Sequence, residues 1–427
     1  MKLLTVCRTL RDRMTIRTWR EQVWDLQKIC GRIARTASHS NRHFAAVVVK
    51  DQARFLTGTA RPVRGETRER ADAAARWLLR AQDATGDGGV SLGYFPCDTR
   101  ERGGWRRSYP ETTGYIIASL LEFSKRRGRE DVRERCFRMT KWETEVQMPS
   151  GAVQGGEVCP AERQTPAVFN TGMVLQGYTA ALRHGAGETI LSAAKRAADF
   201  LVGDQGSDGH FRTHGAFVTP GRLKTYNCLC GWALVRFAED TGDEKYQEAG
   251  MRAAEAAVQQ QNGNGWFADN CLNRPEAPLL HTIGYTLQGI LEVGILTRRE
   301  DLVNAVRRGI NPILERMGKN GFLHARYYED WEPASFSSCL TGNAQIAVVC
   351  YRLSETTGEV RYAHAANLIV DHLKALQVLD SRDEALNGAL AGSFPIFGDY
   401  MTAGYPNWAT KYFLDSLMLQ EQFPSSE

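Results

Sequence analysis

Thr113-Gly114-Tyr115, Thr171-Gly172-Met173, Cys230-Gly231-Trp232, Ile283-Gly284-Tyr285 and Thr341-Gly342-Asn343 open five apolar stretches whose glycines stand 58, 59, 53 and 58 residues apart. Asn407-Trp408-Ala409 holds a sixth, looser position. A second series keeps step with the first: Asp87-Gly88-Gly89, Ser150-Gly151-Ala152, Asp208-Gly209-His210-Phe211, Asn264-Gly265-Trp266-Phe267 and Asn320-Gly321-Phe322-Leu323. Its sixth member, Asn387-Gly388 with Gly392-Ser393-Phe394, is again looser. A period of this length marks a chain made of one repeated supersecondary unit.

Each unit carries two helical patterns. Ala71–Gln82 and Ala366–Gln377 mix charge with one apolar face and predict half-exposed helices, whereas Tyr115–Phe123 and Ile346–Leu353 are apolar nearly all round and predict buried ones. Six alternations of the two predict an all-α fold, an (α/α)6 toroid of six helical hairpins with an outer and an inner ring. The repeated glycines let the inner helices approach closely where their ends converge. Turns from inner to next outer helix are tight, as at Arg126–Asp131, Arg183–Glu188, Glu239–Asp243, Thr297–Asp301 and Glu355–Glu359. Connections from outer to inner helix are long, as at Asp83–Thr112 and Leu379–Pro406, and long loops in compact domains are usually functional. They emerge on one face, with the inner-helix N-termini, whose partial positive charge suits an anion.

Composition supports this reading. A chain of 427 residues with 43% hydrophobic and 24% charged residues suits a soluble globular protein with a large core. Its longest apolar runs are too short for a membrane span, and the run near Leu3–Val6 is too short for a secretory signal. The ten cysteines follow no disulfide framework, and Cys228 and Cys230 are badly placed to bridge each other, so free thiols in a cytoplasmic protein are expected. The net charge of +4 hides an asymmetry, because residues 1–65 hold 14 Lys and Arg against 4 Asp and Glu. Residues 1–65 therefore read as a basic helical extension able to meet an acidic partner or an anionic membrane surface, and 66–427 as the toroid. Aromatics do not interleave with the basic residues, which argues against nucleic acid as a partner.

The repeat resembles the six-hairpin toroids of several glycoside hydrolases, polysaccharide lyases and sugar epimerases, with a more distant likeness to prenyltransferase and terpene-cyclase repeats. The resemblance covers residues 66–427 and rests on the repeat, without a catalytic signature. It implies a site in the cleft at the mouth of the inner helices, and the residues there must argue the function. Trp and Tyr gather on that face, while the tight turns opposite carry none. Trp105, Tyr109, Tyr115, Asn170, Asn227, Trp266, Arg326, Asp399, Asn407 and Trp408 are the candidate substrate-binding residues. Flat rings stack on sugars, and Arg and Asn grip carboxylates and hydroxyls.

Glu111, Tyr226, His281, Tyr285 and Tyr405 are the candidate catalytic residues. Glu111 lies just ahead of an inner helix, where a carboxylate also stabilises by about 0.3–1 kcal/mol as a helix-terminal charge. His281 and Tyr285 share a helical face and can move a proton beside a substrate carboxylate. The expected function is proton abstraction on an acidic, uronate-containing oligo- or polysaccharide, by a lyase or C5-epimerase, with Arg and Asn neutralising the carboxylate. One alternative is a glycoside hydrolase with paired carboxylates drawn from Glu111, Asp269, Glu329, Asp330 and Asp399. Another is a prenyltransferase or terpenoid enzyme with Asp269, Cys271 and His281 as zinc ligands. A non-catalytic glycan-binding scaffold in polysaccharide assembly is the last. The favoured reading involves no cofactor and no metal.

Overall fold

The structure, a computed structural model, describes residues 42–58, 60–97, 104–215 and 222–423. After α1 (Arg42–Thr57) and α2 (Thr67–Asp83), inner and outer helices alternate. The inner ones are α3 (Pro110–Arg127), α5 (Val168–Arg183), α7 (Leu229–Thr241), α9 (Leu280–Leu296), α11 (Leu340–Thr357) and α13 (Asn407–Gln420). With α2, the outer ones are α4 (Glu130–Val146), α6 (Glu188–Asp204), α8 (Glu244–Gln259), α10 (Glu300–Glu315) and α12 (Val360–Leu376). Each inner helix touches the next, and α13 returns to α3, so the inner ring closes. Each also packs on the outer helix that follows it, while α13, which has none, packs on α2.

Burial follows the two patterns. Every residue of α9 from Leu280 to Gly294 is buried, as the all-round apolar pattern requires. In α8 a stripe of Tyr246, Ala249, Gly250, Ala253, Ala254, Ala256 and Ala257 is buried and the charged face is not. The strands are two-residue pieces in two antiparallel pairs at the mouth: β1 (Gly93–Tyr94) with β4 (Tyr405–Pro406), and β2 (Ser338–Cys339) with β3 (Ser393–Phe394).

The repeated Thr-Gly has a double explanation. Thr113 Oγ1 accepts from the Val90 amide at 2.9 Å and donates to the Tyr109 carbonyl at 2.9 Å, joining a long loop to the first turn of α3. Thr171 does the same with Val153 and Ala167, and Thr410 accepts from Leu390. The glycine serves packing: a Cβ on Gly114 would stand 2.6 Å from the Met173 carbonyl oxygen of α5. Gly231 departs from this pattern, since it faces Gly250 of α8, and Cys230 fills the contact with Gly172.

Two belts of hydrogen bonds hold the units in order. In the outer belt a glutamine at the end of an outer helix donates to its own turn glycine and to a carbonyl on the next outer helix. Gln147 Nε2 bonds Gly151 and Ala193, Gln205 bonds Gly209 and Ala249, and Gln261 bonds Gly265 and Ala305. Gln82 starts the belt with Gly88 and Arg135, and Gln377 closes it with Gly388 and Arg70 of α2. Gly265 shows why the turn needs glycine, with φ of +88° and space so tight that a Cβ would lie 2.2 Å from the Arg308 carbonyl oxygen. In the fifth unit Met317 stands four residues ahead of Gly321, where the second, third and fourth units place glutamine.

The inner belt runs around the mouth. The Val168 amide donates to His214 O, Thr225 to Asp269 O, Leu280 to Ala325 O and Leu340 to Gly392 O. Asn407 donates to Leu92 O and closes this ring as well. Five of the six inner-helix openings are thus fastened to the loop of the following unit, while α3 opens with Pro110, which has no amide hydrogen to give.

Of the basic extension, residues 1–41 lie outside the described residues, with Cys7 and Cys30; the eight described cysteines form no disulfide with one another. Helix α1 is docked on the toroid. Phe44 is fully buried, and Phe55 meets Phe336 and Phe394 edge-on at centroid distances of 5.9 and 5.5 Å. No helix among the described residues is long and apolar enough to cross a membrane.

The outer belt can be tested by Gln261→Leu, which deprives two carbonyls of their donor. The expected cost is about 1–3 kcal/mol, read as a lower urea midpoint at unchanged slope. An unshifted midpoint would show that the belt adds nothing to stability.

Candidate active site

Pro110 at the first position of α3 fixes the chain so that Glu111 enters the axis at the mouth of the inner ring. Tyr109, just ahead of it, donates its hydroxyl to Glu111 Oε2 at 2.7 Å. Five more phenols feel the Glu111 charge: Tyr115 of α3, Tyr226 from the turn before α7, Tyr285 of α9, Tyr400 from the loop before α13, and Tyr412 of α13. Their rings form a chain around the axis. Tyr115 and Tyr412 lie 5.8 Å apart, Tyr412 and Tyr285 6.0 Å, and Tyr285 and Tyr226 6.4 Å. Phe169 wedges between Tyr226 and Tyr285 at 5.4 and 4.7 Å, while Trp408 lies 6.3 Å from Tyr109 and 6.5 Å from Tyr400.

Burial sets the protonation of this ring. It raises the Glu111 carboxyl from 4.5 to about 7, against the stabilising hydrogen bond from Tyr109. It lifts all six phenols above their ordinary value, with the charge of Glu111 adding to the effect. His281 is pushed the other way, to about 4, because burial disfavours its cation. Its Nδ1 lies 2.9 Å from Gln345 Oε1, an acceptor, so Nδ1 carries the proton and Nε2 keeps a free lone pair. Its ring stands 4.3 Å from Tyr285 and 5.3 Å from Tyr400. Near neutral pH the axis therefore holds protonated phenols, a neutral imidazole and one carboxyl near its midpoint.

The asparagines are half committed. Asn170 and Asn227 spend Nδ2 on the loop carbonyls of Gln154 and Gly215, and Asn407 on Ser91 and Thr112. Their Oδ1 atoms, and the Tyr285 hydroxyl, have no partner in hydrogen-bond geometry. Buried polar atoms left unpaired cost about 1–3 kcal/mol each.

Other candidates stand apart. Tyr405 is not in the ring: it sits in β4, and its hydroxyl is turned toward Asp51 of α1 and toward Asp383. In a strand pair the side chains alternate, so an aromatic two residues before an inner helix need not face the axis. Trp105 packs on Trp77 and Tyr94 at 5.4 and 5.1 Å, and Trp266 on Trp331 at 5.2 Å, as cover for the hairpins. Arg326 is tied by Nε to Asp399 and donates to the Ala277 carbonyl at 2.7 Å. Among the other carboxylates proposed for a pair, Glu329 accepts from Asn262 at 3.0 Å, a local commitment. The zinc set does not assemble, since His281 pairs with Gln345 while Cys271 lies against Lys224 and Arg222. Among the described residues no three His, Cys, Asp or Glu side chains are grouped to hold a metal.

Phe169, Gln345 and Tyr412 escaped the sequence reading. Gln345 carried a usable signal, a polar side chain inside an otherwise apolar helix, four residues after Thr341. Tyr412 carried none that separates it from a core tyrosine.

No protein-family model and no curated protein matches the chain. Solved structures do. An unsaturated glucuronyl hydrolase specific for heparin aligns with a TM-score of 0.67 at 14% identity, over 84% of this chain and 97% of that one. The unsaturated glucuronyl hydrolase of Bacillus sp. GL1 gives 0.66 at 17% identity, over 84% and 98%. A D-mannose isomerase gives 0.65 at 12% identity, over 82% and 97%. These neighbours are (α/α)6 toroids, and the likeness places this chain in the same fold class.

The raised Glu111 carboxyl links stability to pH. Its folded value lies above its unfolded one, so its stabilising contribution is present below about 4.5 and lost as pH rises through about 7. Glu111→Gln is expected to melt higher than the wild type above pH 7 and no higher below pH 4.5. Parallel melting curves would contradict this protonation.

Proposed function

We propose that the chain is a carbohydrate-active enzyme that hydrolyses a uronate-containing oligosaccharide, with Glu111 as the general acid. The observation that carries this reading is one carboxyl, poised at about 7, inside a ring of phenols. A proton donor works best when its pKa lies near the working pH, and burial supplies that adjustment here. The phenols keep their protons, so they suit sugar hydroxyls as donors and sugar rings as stacking faces. They do not suit the role of base. The unpaired Oδ1 atoms of Asn170 and Asn227 offer acceptors for substrate hydroxyls. His281, neutral near pH 7, can accept a hydrogen bond from a sugar hydroxyl or a water through Nε2. The glucuronyl hydrolases named above, and their glucuronyl substrate, support the choice of an acidic sugar.

Proton abstraction by the His281–Tyr285 pair, giving a lyase or a C5-epimerase, is the second reading. The 4.3 Å ring contact favours it. The raised Tyr285 phenol and the lowered His281 imidazole weigh against it, since the one is hard to deprotonate and the other is a weak base.

Uronate-containing oligosaccharides incubated in heavy water separate the readings. Hydrolysis gives new reducing ends without deuterium at C5, an epimerase leaves deuterium there, and a lyase leaves an unsaturated chain end. Glu111→Gln should lower kcat by about 10²–10⁴-fold with binding retained, and the wild-type rate should fall as pH rises through about 7. Tyr285→Phe should cost much less. Full activity in Glu111→Gln, with a loss of that size in Tyr285→Phe, would transfer the chemistry to the second reading.

A further inference from the structure

Helix α1 stands outside the ring of hairpins, and it is apolar on two faces. One face is docked: Phe44 is fully buried, Phe55 meets Phe336 and Phe394, and Asp51 accepts from the Ile396 amide at 2.6 Å. The other carries Ala45, Val49, Ala53 and Leu56, all exposed. Steps of four, four and three residues put them on a single side of the helix. Val49 is 69% exposed and Leu56 47%. Large apolar residues exposed singly, such as Leu272 and Val360, need no explanation. Two on one stripe, with an alanine between them, form an apolar surface left to water.

The flank of this stripe is basic. Lys50, Arg54, Arg61 and Arg382 line one cavity of about 1000 Å3 beside α1, against Asp51 and Asp380. Arg70 and Lys374, in the same walls, are already paired with Glu66 and Asp371. Arg54 donates to the Ala375 carbonyl at 2.9 Å, while Lys50, Arg61 and Arg382 are exposed. Burial raises the Asp51 carboxyl to about 7, which removes part of its charge near neutrality. The chain ahead of α1 has the same sign, since residues 1–41 hold 9 Lys and Arg against 3 Asp and Glu.

Charge selects the occupant. A second copy of this chain would bring the same positive flank to the contact, and residues 1–41 would bring more positive charge still. An anionic bilayer offers acyl chains to Val49 and Leu56 and headgroup charge to Lys50, Arg61 and Arg382. We propose that this face of α1 is a docking surface for an anionic lipid bilayer. The contact is peripheral, because no helix among the described residues is long and apolar enough to cross a membrane. Asp51 and Phe55 fix α1 to the segment of chain that holds Phe394, Ile396 and Tyr400. A bilayer docked on α1 is thereby held beside the mouth of the inner ring.

Co-sedimentation of the full chain with lipid vesicles tests this. Vesicles of phosphatidylcholine and phosphatidylserine in equal parts should bind it, and vesicles of phosphatidylcholine alone about tenfold more weakly or less. Binding to the mixed vesicles should fall as salt rises from about 0.1 M to about 1 M, where the screening length shrinks from about 10 Å to about 3 Å. Each cation removed should weaken binding about fivefold, so Lys50→Ala/Arg61→Ala should lose about tenfold or more. Val49→Ser/Leu56→Ser should lose about tenfold through the apolar contact. Both double variants change exposed residues and should keep the wild-type melting temperature.

No binding to the mixed vesicles at the lower salt would overturn the proposal, as would equal binding to both kinds of vesicle. Binding that both double variants leave unchanged would also overturn it, moving the contact to residues 1–41. A dimer in sedimentation velocity that dissolves in Val49→Ser/Leu56→Ser would assign the face to a second copy instead. The readout is partition onto lipid and not turnover, so its failure is distinguishable from failure of the hydrolase reading.

Discussion

Every unit of this protein gives a hydrogen bond to the next, and the last gives one to the first. A ring of helices offers no end that can be left open, because an unclosed gap would expose two apolar flanks and orphan the carbonyls at its rim. Closure is therefore local in space and remote in sequence: Asn407 bonds Leu92, Gln377 bonds Arg70, and Thr67 bonds Gln420 at 3.0 Å. The entropic cost of such long loops grows only slowly with length, so a few well-placed bonds and the α2–α13 packing can meet it. Closure also brings six helix openings together on one small area, which is what creates a site.

The same belt changes what the openings can do. Read from the sequence, six helix N-termini are a reservoir of partial positive charge for an anion. In the structure the first amides at Val168, Leu280, Leu340 and Asn407 already hold a neighbouring loop carbonyl, and Pro110 has none. On the proposed reading, recognition at the axis consequently falls on side chains. That makes the tyrosines, asparagines and Gln345 more important than the helix ends themselves.

The fold was legible because its constraints recur at fixed spacing. Thr113 and Thr171 must bond a loop amide, and Gly114 and Gly172 must admit a neighbouring helix, so both residue types repeat visibly. The positions of Glu111, Tyr109, Tyr226, His281 and Tyr285 near the mouth were legible for a related reason: they stand beside those landmarks in the sequence. Tyr412 lies within an inner helix, where an axis-facing tyrosine and a core tyrosine have the same apolar neighbours in sequence. Tyr405 was misassigned because strand pairing with Tyr94, which decides the side its ring takes, joins residues more than 300 positions apart. Arg326 and Asp399 were each plausible alone, and nothing local shows that they neutralise each other.

That neutralisation bears on the chemistry. A cation free beside Glu111 would hold its carboxyl ionised and deprive the site of an acid. Here Arg326 is occupied by Asp399, and Lys411 of α13 lies over the rings of Tyr115 and Tyr412 while paired with Asp415 at 2.8 Å. The group bonded to Glu111 is the Tyr109 phenol, which can give a hydrogen bond without delivering a full charge. Tyr109 lowers the Glu111 carboxyl somewhat and burial raises it more, and the balance falls near neutrality. An added lysine or a lost phenol would move that balance in opposite directions. The aromatic lining thus supplies the stacking surface expected for sugars and, by the same residues, the low-dielectric environment in which a single carboxyl can hold and release a proton at physiological pH.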